Sequence, residues 1–106
     1  MAIRIPRPSE QARQEFVADL VERLKRLPQV RRVLVETDGG APQVWTVIEA
    51  EPFENAARDP IFDAELAAMM AHPGVPAGFR LLNSREYAGR PLDDYLPPDA
   101  ALLYER

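Results

Sequence analysis

The sequence predicts an α+β fold: an antiparallel sheet with two helices on one face, in the order helix-strand-strand-helix-strand, followed by a C-terminal tail. Three observations predict it. Two stretches repeat apolar residues at the three- and four-residue spacing of an amphipathic helix. Between and behind them lie three short runs rich in apolar and β-branched residues. The first two runs are separated by Asp-Gly-Gly, the mark of a hairpin turn.

The first helix is expected over residues 9–27. Ser9 caps it with Glu10 in the first turn, Lys25 and Arg26 suit the negative end of its dipole, and Pro28 ends it. Ala12, Phe16, Val17, Leu20, Val21, Leu24 and Leu27 make its apolar stripe. "VRRVLVETDGG" and "PQVWTVIEAEP" then read as antiparallel strands joined by a turn near Asp38 to Pro42. Val33 and Val35 alternate with Leu34, and Val44 and Ile48 with Trp45 and Val47, so both faces of this hairpin need cover.

A second helix is expected over residues 60–72. Asp59 followed by Pro60 is an N-cap and first-turn proline, and Asp63 lies where a negative charge is favoured. Phe62, Leu66, Met69 and Met70 fall within about 100° of arc and form the expected buried stripe. "HPG" stops the helix, and "AGFRLLNS" makes the third strand. The tail, residues 88–106, opens as proline-broken coil and packs on the sheet or on a second subunit. In it Asp99 can cap a last helical turn, or "ALLYE" can add an edge strand; both stay open. With a short strand at "AIRI" the order becomes β-α-β-β-α-β, the split βαβ arrangement of ferredoxin-like domains.

The totals limit function. The 106 residues fit one domain, spanning 1–106, with 46% hydrophobic and 28% charged residues. A net charge of -4 gives no general attraction to nucleic acid. The absence of cysteine excludes disulfides, zinc ribbons and thiol catalysis. No apolar run reaches the roughly 20 residues of a membrane span, and "MAIRIPRP" lacks an apolar signal core. The expected location is the cytoplasm. All basic residues but Lys25 are Arg, which with abundant Ala and Pro reads as a GC-rich bacterial coding bias.

The chemically densest stretch is "DPIFDAELAAMMAHPG". Glu65 and His72 share one flank of the expected helix but lie about 10 Å apart along it, too far for a base and its orienting acid. Ala68 occupies the position that would complete a metal pair with His72. His72 is therefore expected to cap the helix C-terminus. An enzyme would need Glu65 and His72 to converge with an acid such as Glu49 or Glu51. No metal or cofactor is expected.

Asp19 with Arg23, and Glu22 with Arg26, make favourable surface pairs. Arg13 lies close to the first helix's apolar stripe and is expected to reach past the sheet edge. It and Arg4, Arg7, Arg31 and Arg32 have no local acid, and the last four are the weak candidates for an anion patch. No glycine-rich phosphate loop supports them, so nucleic acid is not an expected partner.

Two resemblances add to this reading. "LPQVRRVLVE" resembles the helix-to-strand joint of heavy-metal-associated ferredoxin-like domains, which implies fold only, since their paired-cysteine loop is missing. "VWTVIEA", a helix, "GFRLLNSREY" and the closing "ALLYER" resemble small nucleotidyltransferase-like proteins that can pair with a toxin. That family's Gly-Ser turn and Asp-x-Asp are absent: Asp38-Gly39-Gly40 has no serine, and Thr46, Ile48 and Glu49 stand in the strand. The resemblance implies a catalytically dead, antitoxin-type partner protein.

The functional expectation is a small, soluble, non-catalytic interaction or regulatory domain that forms a homodimer. Trp45, Val47, Leu102, Leu103 and Tyr104 are its expected contact residues. The dead nucleotidyltransferase-like partner and the small enzyme using His72 and Glu65 are its alternatives.

Overall fold

The computed structural model describes residues 9–37, 40–87, 89 and 91–106. The element order is α1 (Glu10–Leu24), β1 (Val30–Glu36), β2 (Gln43–Ile48), α2 (Asn55–Ala71), β3 (Gly78–Asn83) and β4 (Ala101–Glu105), with 3-10 turns at Ser84–Glu86 and Leu92–Tyr95. The strand expected at "AIRI", with Arg4 and Arg7, lies outside the described residues, as do Asp38 and Gly39 of the hairpin turn.

Ser9 caps α1 as its sequence requires, accepting from the Ala12 N–H at 3.0 Å. The helix stops at Leu24, a turn before the expected Leu27. Pro28 disfavours the helical region for the residue before it, and the Leu27 N–H tightens onto the Leu24 carbonyl instead. The carbonyls this releases are collected from across the molecule. The Arg106 guanidinium donates to Lys25 O at 2.8 Å, Pro28 O at 2.6 Å and Leu27 O at 3.4 Å. Arg106→Ala is expected to cost about 1 kcal/mol in urea denaturation, because the carbonyls near the surface recover water. An unchanged midpoint would mean the clamp is incidental.

β1 and β2 form the expected antiparallel hairpin, with Val35 opposite Val44 and Leu34 opposite Trp45. The sheet order is β3-β2-β1-β4. β2 and β3 pair in parallel, so the sheet is mixed and not purely antiparallel. A parallel neighbour demands a crossover, and α2 supplies it. Because β2 and β3 bond directly, no strand is inserted between them, and this βαβ unit is not the split kind of a ferredoxin-like domain. The tail ends as a strand: β4 pairs antiparallel with β1, and a shift in register between Val33 and Leu34 leaves Leu103 without an opposite residue.

β2 is buried on both sides, with Val44, Thr46 and Ile48 on one and Val47 on the other. The first side shares one core with Phe16, Leu20 and Leu24 of α1, Val30 and Val33 of β1, and Ile61 and Ala68 of α2. On the side of Arg32, the connection from β3 to β4 is tied down by the Arg32–Asp93 ion pair at 2.9 Å.

α2 departs most from expectation. It begins at Asn55, with Glu54 at the cap, and runs through Pro60. Asp59 is therefore inside the helix and caps nothing. The early start is held from outside: Glu86 accepts from the Phe53 N–H at 2.8 Å and from Arg58, and Gln29 donates to the Ala57 carbonyl at 3.1 Å. The buried face is Ile61, Glu65 and Ala68, with Ala57 and Ala64 partly buried. Phe62, Leu66, Met69 and Met70, expected inside, are 50%, 56%, 44% and 74% exposed. The period is right and the face is turned by about one residue step of 100°. Small side chains let α2 approach its neighbours closely, and the alanine row takes the inner face.

Candidate functional site

His72 closes α2 as expected, its N–H bonded to the Ala68 carbonyl at 3.1 Å. Its imidazole does more. Nε2 lies 3.0 Å from Asp19 Oδ2 of α1, and the ring meets Phe16 edge-on with centroids 5.9 Å apart. The other oxygen of Asp19 accepts from Arg23 Nε at 3.0 Å. Partial burial opposes ionisation of Asp19, but the bonds from His72 and Arg23 outweigh it and hold the carboxyl below the usual range. The constellation ties the end of α2 to the middle of α1.

Glu65 does not join it. Its side chain points inward, 7% exposed, and Oε2 has no hydrogen-bond partner. Burial alone pushes its pKa up to about 7. The acids an enzyme would have recruited are occupied elsewhere: Glu49 pairs with Arg31 at 3.0 Å, and Glu51 with Arg85 at 3.0 Å. Glu49 and Glu51 share Arg85, which also lies 3.9 Å from Glu49, and His72 pairs with neither of them but with Asp19.

Of the expected patch, Arg31 and Arg32 are engaged, and Arg4 and Arg7 lie outside the described residues. Arg31 meets Glu49, and Arg32 meets Asp93 and, at 3.9 Å, Glu105. Arg13, expected to lack a local acid, bonds Glu10 at 2.8 Å. Glu22 pairs with Lys25 and not with Arg26. Asp19–Arg23 forms as the spacing predicts.

Of the expected contact residues, Val47 is 1% exposed and offers no surface. Trp45 and Tyr104 are half-buried, while Leu102 and Leu103 are 51% and 41% exposed. Leu103 opens onto a groove of about 570 Å³ that the sequence did not reveal. Val17, Ala18 and Val21 of α1 form one wall and Val35 and Leu103 the other, with Glu10, Arg13 and Glu22 at the rim. His72 and Glu65 are not part of it.

Asn83 is a second residue the sequence reading missed. It is 1% exposed, and its amide accepts from the Ala50 and Arg85 N–H groups while donating to the Ala50 and Glu51 carbonyls. The signal was a polar residue closing an apolar strand, "LLNS". Comparison with protein families, characterised proteins and solved structures finds no match to this chain.

Proposed function

We propose that this chain is a small cytoplasmic interaction domain that works by protein contact as a homodimer, without catalysis. The observation that carries the reading of protein contact is the outward stripe of α2. Phe62, Leu66, Met69 and Met70 lie on one helix face, and all four are exposed. A lone exposed leucine is ordinary, but contiguous large apolar groups on one helix are a contact surface. Methionines suit such a surface because their flexible side chains adapt to a partner's shape. In this reading the domain has two layers, with both helices on one face of the sheet and the β3–β4 connection on the other.

A catalytic use of His72 is the second reading, and its bond to Asp19 is the observation that favours it. Against it stand the separation of Glu65 from that pair and the commitment of Glu49 and Glu51 to arginines. Light scattering of the pure protein across a dilution series tests the first reading. The expected result is twice the chain mass at high concentration. A monomer throughout overturns the homodimeric reading.

A further inference from the structure

The α2 stripe is poorly suited to pair with itself. In an antiparallel pair, Asp59 and Asp63 would face the C-terminal end of the partner's helix, where the dipole is negative. The groove beside α1 has the opposite property. Its helical wall is a single stripe running Glu10, Arg13, Gln14, Val17, Ala18, Val21 and Glu22, and Lys25 continues it one turn on.

The charges on that stripe are ordered. Glu10 bonds Arg13 at one end, and Glu22 bonds Lys25 at the other, an acid followed three residues later by a base in both cases. A two-fold axis between Val17 and Ala18 lays a second α1 antiparallel on the first. Glu10 then faces the partner's Lys25, and Arg13 faces the partner's Glu22. Gln14 faces the partner's Val21, and Val17 faces the partner's Ala18. Every charge meets its opposite, and the centre is apolar with a small residue that permits close approach. An isologous interface needs this self-complementarity. Leu103, at the bulge of β4, and Val35 stand beside the stripe and extend the apolar centre.

We infer that α1 is the homodimer contact: a second copy of this chain docks its α1 antiparallel in the groove between α1 and the β4 edge. The inference rests on the homodimeric reading above and assigns its surface. It leaves the α2 stripe free for a protein of different sequence.

A charge-sorting experiment tests it. One variant carries Glu10→Lys and Glu22→Lys, and a second carries Arg13→Glu and Lys25→Glu. In either variant alone the stripe meets only like charges, so the dimer dissociation constant is expected to rise roughly a hundredfold. Mixed in equal amounts, the two are expected to form a heterodimer, read by native mass spectrometry. Circular dichroism establishes that each is folded. Ala18→Arg serves as a separate variant at an exposed helical position and leaves the intrahelical ion pairs intact; it is expected to be monomeric.

If the natural protein is a dimer and these variants remain homodimers, the α1 contact is wrong and the homodimeric reading stands. If the charge variants become monomers but do not associate on mixing, the charge-matched α1 contact is wrong. If the natural protein is itself a monomer, both the reading and the contact fall. Should the charge variants not fold, persistence of the dimer in Ala18→Arg overturns the contact.

Discussion

Glu65→Met is expected to stabilise the protein by roughly 3 kcal/mol at pH 8. Glu65 sits 7% exposed on the inner face of α2, and its carboxyl titrates at about 7 in the fold against 4.5 when free. For an acid whose folded value is raised, the unfolded chain releases its proton first as pH climbs. Between about 4.5 and about 7 the folded state therefore holds more protons than the unfolded state, and stability falls with rising pH. The full penalty is in place above pH 7. Methionine has a similar length and no charge, so it removes the pH-dependent loss and leaves the packing nearly unchanged. Urea denaturation of both proteins between pH 4.5 and 8 reads the effect as a gap that widens with pH. Parallel profiles would show that Glu65 is solvated in the fold. Asp19 and Glu86, both held below their usual values, act in the other direction. Their contribution is present above about pH 4 and lost as acid protonates them, and it is common to both proteins.

Asn83→Ala is expected to cost about 3 kcal/mol, at about 1 kcal/mol for each of three hydrogen bonds of ordinary length. The amide accepts from Ala50 N–H at 3.2 Å and Arg85 N–H at 3.2 Å and donates to Ala50 O at 3.0 Å. It therefore pins the end of β2 to the end of β3, and with it the turn that leads into α2. Alanine leaves those backbone groups without partners in a partly buried place. Asn83→Asp keeps the acceptor but turns an oxygen toward two carbonyls, and is expected to lose at least as much at neutral pH. Hydrogen exchange should show the change first at Ala50 and Arg85. A small loss spread evenly over the chain would instead mean that Asn83 only fills space.

The parts of the fold legible in the sequence are those written in local chemistry. Ser9, the stripe of α1 and the residues of the hairpin each carry their own signal within a few positions. The tail divided evenly between helix and strand because "ALLYE" suits either, and only β1's open side decides it. The parallel pairing of β2 and β3 is a property of the α2 crossover that no single segment displays. Helix α2 misled because its largest apolar residues face outward. Its period was readable, but the choice between an alanine row and a Phe-Leu-Met row depends on how closely α1 and the sheet approach. Its start was hidden too, since Glu86 and Gln29, far along the chain, hold the turn before Pro60. For the candidate site, Asp19–Arg23 was readable as a helical pair. The bond from Asp19 to His72 was not, because it joins two helices whose relative placement the sequence leaves open.

The way β4 is held has a consequence for what happens when the molecule begins to come apart. β4 has mostly exposed side chains, and it is secured by its ladder to β1 and by the grip of Arg106 on the end of α1. It is the strand whose release exposes the least core, so it is the one to leave first. Its departure bares the long edge of β1, where Val30, Val33 and Leu34 form an apolar, β-prone run. Such an edge templates the pairing of one chain with the next. Arg31 and Arg32 stand within that run, and two adjacent like charges are the means by which sequences discourage such stacking. Arg31 and Arg32 thus acquire a purpose that emerges only in the partly opened molecule.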